Sequence, residues 1–249
     1  MNAGIIAAGL GQRLGGGPKA LIPVGGRRLI DLVIEGLIDA GVGRLTCIVN
    51  SSSREVSQHV ARTFPQLPVD WIVRDTPTSM HSFLAVLETL AAAGGAGHLL
   101  TTVDSVCPPG TARRFVERAA AIPGADLVLG VTTTIDDEKP LYAIPRENVA
   151  PPLADAPPFE VAALSSSAGA SPFVTAGFYW VTPGLLAQRE HALAANFTAL
   201  RQFLGHLLQR GRRCWAVPLP QIIDVDRPAD VRQAERLLEA WAARTEASA

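Results

Sequence analysis

Two cations and a run of glycines follow directly after the first apolar segment of the chain. The stretch GLGQRLGGGPKALIPVGG, residues 9–26, holds Arg13 and Lys19 among closely spaced glycines. Glycine lets backbone N–H groups approach a phosphate closely, because no side chain stands in the way. Arginine can form two hydrogen bonds to phosphate oxygens, and lysine supplies a compact charge. This combination suits the binding of a triphosphate.

The spacing of these residues excludes two well-known nucleotide loops. The dinucleotide fingerprint GxGxxG fails because Gly9 and Gly11 are followed by Leu14 where a third glycine is needed. The P-loop fails because Lys19 is followed by Ala20, where the GK[ST] motif requires a hydroxyl side chain. A surface turn with two solvated cations stays open as the alternative to a phosphate site.

An aspartate lies where it could bind the divalent cation that accompanies a triphosphate. In the stretch HLLTTVDSV, Asp104 follows a predicted strand. Parallel sheets present their ligand residues at the carboxyl ends of strands. Hard divalent cations prefer carboxylate oxygens. Asp104 is therefore predicted to be a metal ligand.

Composition excludes several classes of function. The formal net charge of the 249 residues is −1, so no general attraction to nucleic acid or to an anionic membrane is expected. Cys47, Cys107 and Cys214 are far apart, which favours neither a disulfide framework nor a zinc site. The first residues have neither the pattern of a signal peptide nor that of a membrane span. A cytoplasmic protein is expected.

Short apolar runs alternate with stretches of helical period, which is typical of βαβ units in a mostly parallel sheet. The predicted strands are AGIIAA, RLTCIVN, VDWIVR, HLLTTVD, ADLVLGV, VTAGFYWV and RCWAVPL. The predicted helices begin near Leu29, Ser79, Thr111, Phe197 and Pro228. Residues 150–172 are rich in Pro, Ala and Ser, and are predicted to be a flexible insertion in one domain of residues 1–249, either a lid or a plain surface loop.

The opening segment AAGLGQRLGGGPKALIPVGGRRLID resembles the signature of the NTP-transferase family, which includes MobA-like, sugar-phosphate and phosphocholine-type nucleotidyltransferases. Their pattern is roughly AAGxGxRx…PKxLxxxxGxxLI. The matching positions are Ala7, Ala8, Gly9, Gly11, Arg13, Pro18, Lys19, Leu21, Gly26, Leu29 and Ile30. The resemblance implies an α/β fold, a single-domain Rossmann-like three-layer α/β/α sandwich with a mostly parallel mixed sheet.

The same resemblance implies a nucleotide site in the opening loop. It makes Arg13 and Lys19 the catalytic cations. Gln12 stands where the family most often has Thr or Ser, so one side-chain phosphate contact differs while the backbone cradle is retained. The implied nucleotide-binding residues in this loop are Ala7, Ala8, Gly9, Gly11, Gln12, Arg13 and Lys19.

A second segment, IIDVDRPADVRQAERLL, resembles the family's DxDTPxDL motif, whose acidic or amide residue completes a metal site. The resemblance implies that Asp104 and Asp226 hold Mg²⁺, with Asp224 as the alternative to Asp226. A competing interpretation is that Asp226 is the N-cap of the helix that begins near Pro228, because aspartate is common at that position.

A third segment, RDTPTSMHSFLAVLETL, resembles the family's helix start that lies against the nucleotide base. Its serine-rich form is closest to the branch that makes cytidylyl derivatives of small alcohols or phosphonates, which favours CTP. Thr78 and Ser79 are the implied base contacts. Both residues could equally be helix caps.

Two further segments concern the acceptor. In DDEKPLYA, Lys139 is a candidate for the acceptor's phosphate, and VTAGFYWV resembles the family strand that lines the acceptor pocket, with Thr175 and Gly177. A solvated charge cluster at a turn is the alternative for Lys139. Thr175 replaces the family asparagine, which weakens a sugar assignment.

The predicted function is Mg²⁺-dependent transfer of a nucleotide from an NTP to a small phosphorylated or phosphonate acceptor, with release of pyrophosphate. Three alternatives stay open: a molybdenum-cofactor guanylyltransferase, a glycosyltransferase that uses a nucleotide sugar, and a nucleotide-binding regulator without catalysis. The sequence leaves the acceptor and the oligomeric state open, a homodimer included.

Overall fold

The structure is a computed structural model that describes residues 1–134, 139–147, 149, 156–167 and 169–247. Its strands are β1 (Asn2–Ile6), β2 (Pro23–Val24), β3 (Arg27–Arg28), β4 (Arg44–Val49), β5 (Val69–Val73), β6 (His98–Thr102), β7 (Ser105–Val106), β8 (Leu127–Thr132), β9 (Tyr142–Pro145), β10 (Phe159–Ser165), β11 (Val174–Val181), β12 (Cys214–Pro218) and β13 (Ile223–Asp224). Its α-helices are α1 (Leu29–Asp39), α2 (Arg54–Thr63), α3 (Ser79–Ala92), α4 (Thr111–Ala120), α5 (Arg189–Ala194), α6 (Leu200–Gln209) and α7 (Pro228–Ala247). Short 3-10 helices cover Gln12–Leu14, Lys19–Leu21 and Pro183–Gln188.

The central sheet has the strand order β5-β4-β1-β6-β11-β8-β12-β10-β9 in the described residues. Strands β5, β4, β1 and β6 pair in parallel, as do β8 and β12. Strand β11 runs antiparallel between β6 and β8, and β10 runs antiparallel to both β12 and β9. Among the described strands of this sheet, β11 and β10 alone run against the common direction, which confirms the predicted mixed, mostly parallel sheet.

Helices cover both faces of this sheet, which confirms the three-layer α/β/α architecture. On one face, Phe83 of α3 and Phe203 of α6 are fully buried, with their ring centroids 6.3 Å apart. On the other face, Ile34 of α1, Val56 of α2 and Phe115 of α4 belong to a second apolar core. Helix α7 packs separately, with Trp241 in a third core beside the β2–β3 hairpin. Burial of these large side chains accounts for most of the stabilisation in such a layered fold.

The seven predicted strands and five predicted helices are all present, and the structure adds further elements to them. The insertion predicted over residues 150–172 contains strand Phe159–Ser165, so this part of it is not a loop. Two phenylalanines explain the strand: Phe159 and Phe173 are buried against each other, with centroids 4.7 Å apart. Residues 150–155 and residue 168 of that segment lie outside the described residues. The other additions to the predicted set are helices α2 and α5 and strands β2, β3, β7, β9 and β13.

The sheet brings distant segments of the chain to one edge. The opening loop follows β1, and Asp104 follows the neighbouring strand β6. Since β11 is antiparallel to β6, its first half lies at this same edge. The two-residue strands β7 and β13 pair beside it, and Val225 N donates a 3.1 Å hydrogen bond to the Asp104 carbonyl. No helix in the described parts of the chain is long and apolar enough to cross a membrane.

Candidate active site

The opening loop forms one wall of a cleft with a volume of about 650 Å³, which we call the outer cleft. Charged side chains from the segment after β6, from the segment before α7 and from α6 complete it. Its lining residues are Ala8, Gly9, Leu10, Gly11, Gln12, Arg13, Leu14, Lys19, Asp104, Lys139, Arg201, Asp224 and Asp226. Backbone N–H groups and charges of both signs thus surround a space of the size that ligand sites commonly have.

Backbone hydrogen bonds hold the opening loop in a tight coil. Leu14 N and Gly16 N both donate to the Gly11 carbonyl, at 2.8 and 3.1 Å, and Lys19 N donates to the Gly9 carbonyl at 3.0 Å. Gly11 has a φ of +54°, and a Cβ atom there would lie 3.2 Å from the Gly17 carbonyl oxygen. Such a left-handed, crowded position favours glycine. The loop therefore folds back so that the Lys19 side chain enters the cleft.

The Lys19 ammonium group lies between two carboxylates at the base of the outer cleft. It donates hydrogen bonds to Asp104 and, at 2.6 Å, to Asp226. Only 9% of its side chain is exposed. Burial alone would lower the pKa of Lys19, but the negative charges of Asp104 and Asp224 and the two hydrogen bonds outweigh it and raise this pKa. Lys19 therefore stays protonated.

Asp104 is the more enclosed of the two carboxylates that contact Lys19. Its side chain is 20% exposed, against 38% for Asp226. Burial opposes ionisation of Asp104, but the adjacent Lys19 charge and its hydrogen bond lower the pKa of this carboxyl below its ordinary value. Asp104 is therefore an anion in the cleft.

The structure separates the two interpretations of Asp226. The carboxylate that receives hydrogen bonds at the start of α7 belongs to Asp230, which accepts from Asp226 N at 3.0 Å and from Arg227 N at 2.8 Å. The Asp226 carboxylate is directed to Lys19 instead. Asp224, the alternative to Asp226 as a metal ligand, also lines the outer cleft.

The carboxylates fit a magnesium ion shared with a bound ligand. Asp104 and Asp226 contact Lys19 through one oxygen each, Oδ2 and Oδ1, so the second oxygen of each lies outside that contact. Within the described ranges, no group of three or more His, Cys, Asp or Glu side chains could hold a metal ion by itself. Mg²⁺ is commonly bound by one or two carboxylates, with substrate phosphates and water as its other ligands. The donor set here matches that pattern.

Most of the residues that are predicted to bind the nucleotide lie on the wall of the outer cleft. Ala8, Gly9, Gly11, Gln12 and Arg13 all lie there. The opening loop contains one exception. The exception is Ala7, which is fully buried at the end of β1. The backbone N–H of Ala7 donates to the Ile48 carbonyl at 2.9 Å, so it is not available to a phosphate.

Thr78 and Ser79 do not line the outer cleft. The Thr78 hydroxyl lies 2.8 Å from Nδ1 of His81, one turn further along α3. The Ser79 hydroxyl accepts a 3.1 Å hydrogen bond from Leu200 N, at the start of α6. Ser79 therefore links two helices, and its side chain borders a second cavity next to the cleft. Base contact by these residues stays a prediction.

The second cavity, which we call the inner pocket, has a volume of about 250 Å³. It contains all three residues predicted for the acceptor. Its lining residues are Ser79, Thr102, Asp104, Lys139, Leu141, Thr175, Gly177, Tyr179, Ala199, Leu200, Arg201, Leu204 and Asp224. The acids predicted beside the lysine, at 136–138, lie outside the described residues.

Gly177 permits the close approach of β11 to the segment after β6. Its φ is +72°, and a Cβ atom would lie 2.2 Å from Ser105 Oγ and 2.5 Å from Thr102 Oγ1. These distances are far below a normal contact, so a larger residue would displace the pocket wall. The Thr102 and Ser105 hydroxyls are 2.9 Å apart and hydrogen-bonded to each other.

Arg201 is a site residue that sequence reasoning missed. It stands in the first turn of α6 and lines both the outer cleft and the inner pocket. Its Nη2 donates to the Lys139 carbonyl at 2.9 Å, and its Nη1 lies 3.4 Å from Ser166 Oγ. No motif surrounds it in the sequence, because its position depends on how α6 packs across the sheet.

Comparison with known proteins identifies the family. A sequence model described as the MobA-like NTP transferase domain matches residues 3–164, more than half of the chain. The chain belongs to this family. The matched region contains the opening loop and Asp104, whereas Asp224, Asp226 and Arg201 lie beyond its end.

One sequence relative and two solved structures are similar to this chain. A 2-C-methyl-D-erythritol 4-phosphate cytidylyltransferase of Nocardia farcinica is 32% identical over 155 residues, which cover 55% of this chain and 65% of that protein. The inositol-1-phosphate CTP transferase from T. maritima superposes with a TM-score of 0.76, at 18% identity and 94% coverage of both chains. A UDP-glucose pyrophosphorylase complexed with UDP-glucose superposes with a TM-score of 0.75, at 13% identity, covering 96% of this chain and 98% of that one. At these identities the two structures establish the shared fold.

Proposed function

We propose that this NTP transferase moves a nucleotide from an NTP, with CTP favoured, to a phosphate or phosphonate oxygen of a small acceptor and releases pyrophosphate. The observation that carries the proposal is the Lys19 ammonium held between Asp104 and Asp226 at the base of a glycine-walled cleft. A cation next to two carboxylates provides both a phosphate contact and the oxygen ligands of a metal ion. The sequence relative is itself named as a cytidylyltransferase.

In this proposal the opening loop binds the triphosphate. The backbone of Gly9 and Gly11 lies on the cleft wall, and Arg13 and Lys19 carry the positive charges. Lys19 enters the reaction already protonated, because its neighbours raise its pKa. Its charge and that of Arg13 would stabilise the negative charge that builds up on the departing pyrophosphate.

Asp104 and Asp226 would hold the Mg²⁺ ion, with Asp224 close enough to contribute charge. When bound, the ion neutralises phosphate oxygens and so lowers the barrier to attack by an anion. The adjacent Lys19 lowers the pKa of Asp104, so this carboxylate is ionised and available to a cation.

The acceptor would bind in the inner pocket, next to Lys139, Thr175 and Gly177. One of its phosphate oxygens attacks the α-phosphorus of the NTP, a new P–O bond forms, and the bond to the β-phosphate oxygen breaks. The attacking oxygen is already anionic, so no base has to remove a proton. The enzyme contributes alignment and charge neutralisation.

Thermal stabilisation tests the nucleotide half of this proposal. Purified protein is melted with CTP, UTP, GTP, ATP or dTTP, each with and without Mg²⁺, because selective binding to the native state raises the melting temperature. A Mg²⁺-dependent shift with one triphosphate supports the proposal and identifies the donor. A shift with a nucleotide sugar but with no triphosphate would indicate glycosyl transfer instead.

Pyrophosphate release tests the chemical half. The protein is incubated with Mg²⁺, the stabilising triphosphate and a panel of small phosphate and phosphonate monoesters. Lys19→Ala serves as the inactive control, and Arg54→Ala, an exposed substitution at the start of α2, serves as the matched surface control. Nucleotide binding without pyrophosphate release from any acceptor of the panel would favour a regulator without catalysis.

A further inference from the structure

We propose that Asn50 is a positioning residue for the nucleotide: it turns the Ala8–Gly9 peptide so that the Gly9 N–H faces the outer cleft as a donor to phosphate. This inference rests on the proposed function, because it takes the outer cleft to hold a triphosphate. It goes further by naming a residue that does not itself line the cleft but on which nucleotide binding depends.

Asn50 lies directly behind the opening loop. It follows strand β4, which pairs in parallel with β1 so that Ile48 stands opposite Ile6. Two residues further along each segment, the Asn50 side chain reaches Ala8. The residue is only 6% exposed. A polar amide in such an enclosed position needs a hydrogen-bond partner at each end.

Both ends of the Asn50 amide are bonded to the protein. Its Nδ2 donates a 3.1 Å hydrogen bond to the Ala8 carbonyl. Its Oδ1 accepts from Ser52 N at 3.0 Å, from Ser52 Oγ at 2.7 Å and from Ser53 Oγ at 2.8 Å. A backbone N–H can only donate and a carbonyl can only accept, so these partners fix which end of the amide faces the loop.

The contact with Asn50 determines which way the Ala8–Gly9 peptide faces. In a trans peptide the C=O and N–H groups point in opposite directions, and none of the described peptides is cis. The Ala8 carbonyl is directed at Asn50, so the Gly9 N–H is directed to the other side, where Gly9 lines the outer cleft. Among the residues that the structure describes, none accepts a hydrogen bond from this N–H.

The next peptide of the loop is fixed by Lys19. Its backbone N–H donates to the Gly9 carbonyl at 3.0 Å, so two consecutive carbonyls of the loop are bonded to the protein. A carbonyl oxygen that faced the cleft would repel a phosphate, whereas a backbone N–H attracts it. Asn50 holds the first of these two peptides, and it does so through a side chain that can be substituted.

A purely structural role accounts for only half of the Asn50 contacts. The bonds to Oδ1 close the turn before α2, as asparagine and aspartate side chains commonly do. A carboxylate oxygen could accept those bonds as well. The bond to Ala8 needs the amide nitrogen, so it is this contact that requires asparagine.

Binding of inorganic tripolyphosphate tests the inference, because this probe carries the phosphates that all NTPs share and no base. It is titrated by calorimetry, with Mg²⁺, into the wild type, Asn50→Ala and Asn50→Leu, the last of which has nearly the shape of asparagine. Both variants are expected to bind at least about tenfold more weakly, because the peptide then faces the cleft for only part of the time. Wild-type affinity in a folded Asn50 variant, or no binding by the wild type, would overturn the inference.

Ser53→Ala is the matched control. Ser53 is fully buried, and its substitution removes one bond from the Oδ1 end of the same amide while leaving the contact with Ala8. We expect a lower melting temperature and an affinity within about twofold of the wild type. A loss as large as that of Asn50→Ala would mean that any loosening of this turn impairs binding, and the positioning role would be wrong.

Nuclear magnetic resonance of the wild type tests the direction of the N–H without any substitution. Tripolyphosphate is expected to move the Gly9 amide proton downfield, because a hydrogen bond to an anion deshields the donor proton. The shift should be smaller in Asn50→Ala. A Gly9 resonance that does not move at saturating tripolyphosphate would show that this N–H does not bind phosphate, and the inference would fail even if neither Asn50 variant folded.

These binding results are independent of turnover. If no acceptor yields pyrophosphate while the loss in the Asn50 variants holds, the proposed function fails and this inference stands. If pyrophosphate is released and the Asn50 variants bind tripolyphosphate like the wild type, the proposed function stands and this inference fails. In an active enzyme, Asn50→Ala is expected to raise the KM for the NTP about tenfold and to leave the KM for the acceptor unchanged.

Discussion

The outer cleft and the inner pocket are adjacent, but they are built from different materials. The outer cleft is wide, and its wall consists of loop backbone and charged side chains, among them Arg13 and Lys19. The inner pocket is smaller, and leucines and a tyrosine form its far wall. In the proposed reaction, backbone and charge would bind the triphosphate that all NTPs share, whereas side-chain shape would distinguish one acceptor from another. The proposal thus assigns the triphosphate to the outer cleft and the acceptor to the inner pocket.

Among substitutions in the outer cleft, removal of Lys19 should cause the largest loss of turnover. Lys19→Ala is expected to lower turnover at least about a hundredfold, by analogy with other groups that stabilise transition-state charge at about 3 kcal/mol. It also leaves Asp104 and Asp226 next to each other without their shared cation. We therefore expect Mg²⁺ to raise the melting temperature of this variant more than that of the wild type. Near-normal turnover in the folded variant would remove Lys19 from the mechanism.

The two carboxylates should differ in importance. Asp104→Ala is expected to lower turnover at least about a hundredfold, whereas Asp226→Ala should cost about tenfold, because charges in more enclosed positions are less screened by solvent. The exposed fractions of their side chains, 20% and 38%, set this order. Steady-state rates over a range of Mg²⁺ concentrations measure both effects. The reverse order would assign the main metal contact to Asp226.

One glycine in the opening loop and one beside the inner pocket allow the effect of an added side chain on the free energy of unfolding to be compared between the two regions. Gly177→Ala is expected to lower the free energy of unfolding by about 2 to 4 kcal/mol, because it adds overpacking to the strain of a left-handed backbone. Gly16→Ala, with a φ of +82° and no atom within 4 Å of the added carbon, should show the backbone strain of about 1 to 2 kcal/mol alone. Urea denaturation of both variants gives the difference. Equal losses would mean that the contacts with Ser105 and Thr102 relax without cost.

Arg13 should have the smallest catalytic effect of the cleft cations. It is exposed on the loop, so Arg13→Gln is expected to raise the KM for the triphosphate by about tenfold with a smaller change in kcat. High salt should reduce the difference between variant and wild type, because it screens an exposed charge. A loss of kcat at saturating triphosphate as large as that of Lys19→Ala would show that the two cations contribute equally to stabilising the departing pyrophosphate.

The outer cleft could be predicted largely from the sequence because its key residues are close together in the chain. Residues 8–19 supply most of one wall, and their glycine and cation pattern carries the chemistry by itself. The strands also follow from their apolar runs, which is why Asp104 was placed correctly at the end of β6. Ala7 marks the limit of this reasoning, since the pattern includes it but burial excludes it from the cleft.

The inner pocket was predicted only in part, because it depends on tertiary packing. Its wall combines residues of α3, β6, β11 and α6, which are far apart in sequence. The sequence predicts Thr175 and Gly177 through resemblance to a family strand, and Lys139 as a cation beside three acids, but it does not predict Arg201 and Leu204. Nothing in their local sequence distinguishes them from residues of an ordinary amphipathic helix.

The contacts of Lys19 also bear on the order in which the outer cleft can form as the chain folds. Its two partners follow it by 85 and 207 residues, and the second stands only just before the last helix. A nascent chain that has emerged up to α6 already contains the nucleotide loop, but it lacks the segment that brings Asp226 to Lys19. Pairs so distant in sequence form late in folding, because a long loop must close before they meet. The contact between Lys19 and Asp226 is therefore expected to be among the last parts of the outer cleft to form.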